Sequence, residues 1–186
     1  MRVLSGKYKG KKLVSSKDNS IRPTTNKIKE YIFNILQDYC QDKYVADIFS
    51  GSGSLGIESL SRDSKHVVFV DISRTSINVL NKNLNNLNVE PKGFKLVTND
   101  AIKFFNLDDF YFDLIFMDPP FHYPPLNDLL ITVFKNKKLN ENGILVVEHE
   151  ISNPVNCDTG LFEIFKQKKI GRSLISFIIN GRSKSA

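Results

Sequence analysis

Apolar residues recur along this chain at two alternating spacings, and that alternation predicts the architecture. Short apolar runs end near Phe49, Val70, Val97, Met117 and Val147. Runs of this length, bounded by turn residues, predict strands. Between them, residues 55–61, 74–87, 101–105 and 126–134 carry apolar positions at helical spacing. Ahead of the first strand, Ile28, Tyr31, Ile32, Ile35, Leu36 and Tyr39 mark one face of an amphipathic helix that Thr24 or Thr25 can cap. Five strands separated by helices predict a parallel, doubly wound α/β sheet with helices on both faces. After Val147 the pattern changes. Residues 161–168 and 173–180 are β-rich with only a short segment between them, so an antiparallel C-terminal hairpin is expected to close the sheet. Residues 2–14 place Val3-Leu4 and Leu13-Val14 around a Gly/Lys-rich middle, predicting a small N-terminal β-hairpin punctuated by Gly6 and Gly10. The expected organisation is a basic extension over residues 1–24 and one α/β domain over 25–186.

Composition narrows the class. With 41% hydrophobic residues among 186, the chain is excluded from the disordered and low-complexity classes. Cys40 and Cys157 lie far apart with no partner at ligand spacing, so neither a disulfide framework nor a metal site is expected. No apolar run reaches the roughly 20 residues of a membrane span, and the opening MRVLSGKYKGKK lacks the apolar stretch of a secretory signal. A soluble, cytoplasmic, monomeric protein with no membrane partner is the expectation. The net charge of +6 is unevenly spread. Residues 1–30 hold nine Lys/Arg against two acids, residues 31–163 eleven against eighteen, and residues 164–186 six against none. Two basic ends flanking an acidic middle suggest contact with a polyanion, although lysine-rich termini also serve solubility.

Ligands of open α/β sheets sit at the carboxyl ends of the strands. There, the first strand runs into Ser50-Gly51-Ser52-Gly53-Ser54-Leu55-Gly56, a G-x-G-x-x-G loop between strand and helix. Gly51 and Gly53 permit a tight turn near a ligand, and Gly56 permits close helix packing. Asp71, at the end of the second strand, is placed to accept from both hydroxyls of a ribose. A pyrophosphate would meet Asp47, beside Phe49, at the loop entrance. A carboxylate there suits a cationic ligand instead, which favours S-adenosylmethionine over NAD. Asn99-Asp100-Ala101 ends the third strand; Asp100 can accept from an adenine amine, cap the next helix, or do both. The fourth strand ends in Asp118-Pro119-Pro120-Phe121. Two prolines make a stiff corner without backbone donors, leaving carbonyl acceptors beside the Asp118 carboxylate to hold a planar amine, with the Phe121 ring available for stacking a base. His122 reads as a loop residue. His66 and His149 read as isolated, and Glu148 as either a packing or a substrate-contacting group.

The D-P-P-[FY] corner after a G-x-G loop resembles the amino-group methyltransferases that use S-adenosylmethionine. More narrowly, Arg22-Pro23-Thr24-Thr25 leading into Lys29-Glu30-Tyr31-Ile32-Phe33-Asn34 resembles the R-P-T-x…R-E-x-x-F-N signature of the RsmD-type family, as do Gly10-Lys11-Lys12-Leu13 and Gly56-Ile57-Glu58-Ser59-Leu60-Ser61-Arg62. The resemblance spans nearly the whole chain. It implies a Rossmann-like class I methyltransferase fold and methyl transfer from S-adenosylmethionine, leaving S-adenosylhomocysteine, to the N2 amine of a guanine in 16S ribosomal RNA within a small-subunit particle, with no metal. It implies catalytic roles for Asp118, Pro119, Pro120 and Phe121, cofactor contacts from Asp47, Phe49, Gly51, Gly53, Asp71, Asn99, Asp100 and Ala101, and RNA contacts from Arg22, Thr24, Lys7, Lys9, Lys11 and Lys12. Lys27 and Lys29 stand where the family often has Arg, which would weaken a bidentate phosphate contact. The competing classes are a DNA amino-methyltransferase, an NAD-dependent dehydrogenase and a non-catalytic RNA-binding protein.

Overall fold

A computed structural model describes residues 1–15, 26–107, 109–120 and 123–181. Its elements run α1 (Asn26–Leu36), β1 (Tyr44–Ile48), α2 (Ser54–Ser61), β2 (His66–Asp71), α3 (Arg74–Asn86), β3 (Phe94–Thr98), α4 (Ala101–Leu107), β4 (Phe112–Met117), α5 (Leu126–Lys135), β5 (Leu139–Glu150), β6 (Phe162–Ile170) and β7 (Ser173–Asn180). The strands form one sheet in the order β3-β2-β1-β4-β5-β7-β6. The first five are parallel; β7 pairs antiparallel with β5, and β6 antiparallel with β7. The expected closing hairpin is present, with β7 inserted next to β5 and β6 left as the outer edge.

The period-2 alternation of strand side chains sorts two cores onto the two faces. Val45, Leu114 and Phe116 point to the face covered by α1, α2 and α3. Their neighbours Ala46, Ile48, Ile115 and Met117 point to the face covered by α4 and α5. The helices that follow β1 to β4 therefore start from loops at the carboxyl edge of the sheet. Gly56 is needed for the first layer to sit so close, because a Cβ there would overlap the Phe69 ring.

Three local expectations change. α1 stops at Leu36 because Gln37 is left-handed (φ 47). Tyr39 lies beyond it, its hydroxyl donating to the Asn142 carbonyl at 2.6 Å and the Asp113 carbonyl at 3.2 Å. Phe49 is not part of β1 but left-handed (φ 61), turning the chain into the glycine loop. The N-terminal hairpin reduces to one bridge, Arg2 with Lys12, around a run of turns. The capping threonines Thr24 and Thr25 lie outside the described residues.

What fixes the N-terminal segment is a fully buried ion pair. The Glu58 carboxylate accepts from the Leu4 amide (2.8 Å), the Ser5 amide (3.0 Å) and Arg62 Nε (3.2 Å), with Lys29 Nζ 3.3 Å away. Lys29 also donates to the Arg2 carbonyl at 2.6 Å. The reading of Lys29 as a weakened phosphate ligand is therefore corrected: its side chain is 0% exposed. Burial pulls the Lys29 ammonium below its ordinary pKa, and Glu58 opposes that pull. Deleting one partner strands the other's charge in the interior. Glu58→Ala should lower the unfolding free energy by about 3–5 kcal/mol in urea titration, with residues 1–15 losing hydrogen-exchange protection. Wild-type stability in this variant would remove the segment's anchor from Glu58.

Candidate active site

The loops at the carboxyl edge are laced together by their backbones. Asp118 N–H reaches the Ile48 carbonyl at 3.4 Å, Ser50 N–H the Val70 carbonyl at 3.1 Å, and Asn99 N–H the Asp71 carbonyl at 3.2 Å. The Asp71 carboxylate closes the belt, accepting from Gly51 N–H on one oxygen and from Ser73 N–H on the other, both at 2.8 Å. Each carboxylate oxygen keeps a second lone pair for a ligand. Gly53 (φ 82) stands at the start of α2, where a Cβ would overlap Leu80. Asp100 accepts from Lys103 N–H at 3.0 Å and so caps α4, and Asn99 Oδ1 accepts the Asp100 amide at 2.9 Å. Ala101 begins that helix and is buried.

Asp47 is 3% exposed and accepts the Gly56 amide at 2.8 Å. Burial pushes its carboxyl well above the ordinary carboxylate range. The Gly56 N–H opposes this, and the charges of Asp118 and Asp71 push the same way as burial. Carboxylates at the ends of three neighbouring strands, two of them raising the cost of charging the third, favour a bound cation. The buried hydroxyls of Ser50 and Ser54, flanking the glycine loop, have no hydrogen-bond partner among the described residues. Acidic acceptors, spare polar groups and a glycine loop fit the sulfonium, ammonium and ribose of S-adenosylmethionine. They offer no charge complement to a pyrophosphate.

The structure brings together Asp47, Gly51, Gly53, Asp71, Asn99, Asp100 and Asp118 at this edge, with Pro119 half-buried and Pro120 exposed. Phe121, His122, Arg22 and Thr24 lie outside the described residues. Lys7 and Lys9 are placed elsewhere. Lys7 N–H bonds the carbonyl of Ser61, the last residue of α2, and Lys7 Nζ is 3.8 Å from Asp63. Their turn therefore sits at the amino edge of the sheet, opposite the glycine loop. Lys11 and Lys12 are exposed on the returning segment, whose Val14 is bound on both backbone groups by the Asn83 amide; Asn83 also donates to the Ser52 carbonyl at 3.0 Å.

Sequence reasoning missed a hydrogen-bonded relay. The Tyr123 ring packs edge-on against Phe49, centroids 5.1 Å apart, and its carbonyl accepts from Asn153 Nδ2 at 2.9 Å. Burial and the Asp100 charge push the Tyr123 hydroxyl above its ordinary pKa. His149 is not isolated: Nδ1 faces the carbonyls of Asn153 (3.0 Å) and Glu150 (3.2 Å), and Nε2 lies 2.9 Å from Ser176 Oγ, which also accepts from Gln167 Nε2. Two carbonyls at Nδ1 place the proton there, and burial keeps the imidazole neutral by lowering its pKa. Glu148 is buried and accepts from Ser173 Oγ at 2.7 Å. The Ser152-Asn153-Pro154 turn after β5 was the available sequence signal for the Asn153 strap.

A family described as conserved hypothetical protein 95 matches residues 1–179. The chain is 33% identical over 173 residues to ribosomal RNA small subunit methyltransferase D of Haemophilus influenzae, covering 92% of this chain and 89% of that protein. It is 32% identical over 182 residues to the protein of the same name from Buchnera aphidicola, covering 97% and 92%. The solved structure of yhhF from Escherichia coli superposes with a TM-score of 0.87 at 26% identity, covering 97% of this chain and 98% of that one. With its glycine loop, its D-P-P corner and a match over nearly its full length, the chain belongs to this family, that of the RsmD-type methyltransferases.

Proposed function

We propose that the protein methylates the exocyclic N2 amine of a guanine in 16S ribosomal RNA, within a small-subunit particle, using S-adenosylmethionine. The observation that carries this reading is the position of Asp118: its amide is tied to the end of β1, its carboxylate lies near that of Asp47, and two prolines follow it. The names of the two relatives, small subunit ribosomal RNA methyltransferases, support the substrate class. When bound, S-adenosylmethionine supplies an electrophilic methyl group on a sulfonium.

Asp47, Asp71 and Asp100 hold that cofactor through its cationic end, its ribose and its adenine amine respectively, with Gly51 and Gly53 keeping the loop close. A guanine amine is a poor nucleophile because its lone pair is delocalised into the ring. The Asp118 carboxylate and the Pro119 carbonyl accept its two N–H groups, favouring a pyramidal nitrogen whose lone pair develops toward the methyl group. The amine becomes acidic only as the carbon–nitrogen bond forms, so Asp118 needs no unusual basicity to receive the proton. Catalysis is then mainly positioning. The guanine must leave its stack to reach this corner, and the Phe121 ring replaces the stacking that it loses. Arg22, Thr24, Lys11 and Lys12 are the RNA contacts of the N-terminal segment, whose exit at Val14 is held to the Ser52 carbonyl through Asn83; Lys7 and Lys9 join only where the substrate reaches the far edge.

Asp118→Asn removes the charge and one acceptor while conserving shape. It should lower kcat for tritiated methyl transfer to small-subunit particles or 16S RNA by about 100-fold, with S-adenosylmethionine affinity by calorimetry unchanged. Transfer at the wild-type rate, or preferential transfer to DNA, would sink this reading.

Asp47 gives a second test with opposite signs for stability and binding. Its folded pKa is raised, so its contribution to stability is full below the unfolded value and is lost as pH rises through the folded one. Asp47→Asn keeps an acceptor for Gly56 N–H and cannot ionise. The variant should gain Tm relative to wild type at pH 8 more than at pH 4, while binding S-adenosylmethionine more weakly at pH 8. A Tm difference independent of pH would show that Asp47 is not the strained carboxylate.

A further inference from the structure

The register of the C-terminal strands locates the second basic block. β5 runs parallel to β4 with Val147 beside Met117, so its end at Glu150 lies on the edge that holds Asp118. Ser173 of β7 pairs with Glu150, and Ile170 of β6 pairs with Ser173. The β6–β7 turn, carried by left-handed Gly171 (φ 63), therefore projects from the catalytic edge. Lys168, Lys169 and Arg172 are at this turn and Lys166 is just behind it; all four are exposed, and none is in an ion pair among the described residues. No acid occurs from residue 164 to the end of the chain.

The same face receives the start of α1. The helix runs from Asn26 toward Tyr39, whose hydroxyl binds carbonyls at the amino edge, so Lys27 is at the catalytic edge. Tyr31 packs on Phe177 at 6.1 Å, and Lys166 and Lys168 pair with Phe177 and Ile175 on that face. An exposed edge strand uses lysines to block pairing with other chains. That role is open to every lysine of β6, Lys166, Lys168 and Lys169 alike. It does not extend to Arg172, which is in the turn, and it does not require the cations to crowd the end of the strand at the catalytic edge.

We propose that the β6–β7 turn, with Lys168, Lys169 and Arg172 as its contacts and Lys27 and Lys166 beside it, is the principal phosphate-binding surface for the RNA substrate at the catalytic edge. This rests on the ribosomal RNA reading above. Cations on this edge hold the backbone while the target base enters the D-P-P corner; those at Lys7 and Lys9 are on the wrong edge to do so. Phosphate contacts position without reading sequence, so their loss acts on RNA affinity and its salt dependence.

The test compares wild type, the triple variant Lys168→Gln/Lys169→Gln/Arg172→Gln, and a control, Lys135→Gln/Lys137→Gln, which removes exposed cations from the far end of α5. Methyl transfer to 16S RNA and to small-subunit particles, RNA affinity from 50 to 300 mM salt, and S-adenosylmethionine affinity are measured for each. The triple variant should raise KM for RNA about tenfold and lower the log–log salt slope by about 2, with kcat and cofactor affinity retained and the control near wild type. Equal KM and slope in triple variant and wild type, or equal losses in triple variant and control, overturns the surface. A wild type that binds S-adenosylmethionine but methylates neither substrate overturns the ribosomal RNA reading and this proposal with it, a failure visible before any variant is made.

Discussion

The buried Asp47 carboxylate is the constraint on which the rest of the site turns. It has one backbone donor, Gly56 N–H, and two neighbouring carboxylates that raise the cost of its charge. Relieving that cost by hydration would need space that the Phe69 ring and α2 already occupy. The fold therefore holds a group whose charged form is unfavourable until a cation arrives. A strained carboxylate of this kind couples the binding of a cation to its own ionisation, and that coupling is what the proposed cofactor role of Asp47 uses.

That strain is tolerable because the surrounding loops cannot relax away from it. Asp71 fastens the glycine loop to the end of β2, Asn99 fastens the third loop to the second, and Asp118 is fastened to β1. Farther down α2, Glu58 brings the N-terminal segment and α1 to the same helix. Asn83 then joins the exit of that segment, at Val14, to the carbonyl of Ser52. The extension expected to meet RNA and the loop expected to hold the cofactor thus share one rigid support. Displacement of either is opposed by the same buried polar bonds.

Much of this was legible in the sequence, for physical reasons. Strand and helix periods differ, so β1 to β5 and the intervening helices could be placed, and the glycines and Asp71 could be assigned to one edge of the sheet, where Asp71 accepts from Gly51. The misses are non-local polar pairings. Lys29 lies on the same helix face as Ile32 and Phe33, and Glu58 is the one charged residue of a helix buried along its whole length. Two misplaced charges should have suggested each other, but periodicity reports which side chains point inward and not whom they meet. The relay from Gln167 through Ser176, His149 and Asn153 to Tyr123 spans three strands and two loops, so no local pattern encodes it. The N-terminal lysines differ again: counting charges gave their sign, but only the anchoring of Lys7 to Ser61 fixes the end of the sheet at which their turn lies.

Sign and position together set a problem that any nucleic-acid methyltransferase of this design must solve. The carboxylates that attract a sulfonium repel phosphates over a Debye length of about 8 Å at physiological salt. On the proposed reading an RNA backbone cannot lie directly across Asp47, Asp71 and Asp118, yet one of its bases has to reach Asp118. The arrangement that satisfies both demands keeps the backbone on flanking cations and sends a single neutral base inward. An acidic centre thus makes base extrusion an electrostatic necessity as well as a steric one. The separation of charge along this sequence, acidic in the middle and basic at both ends, is what a catalytic edge of that kind requires, provided that basic groups fold back to flank it. β7 accomplishes this by reversing between β5 and β6, which returns the turn at Gly171 to the edge where β5 ends.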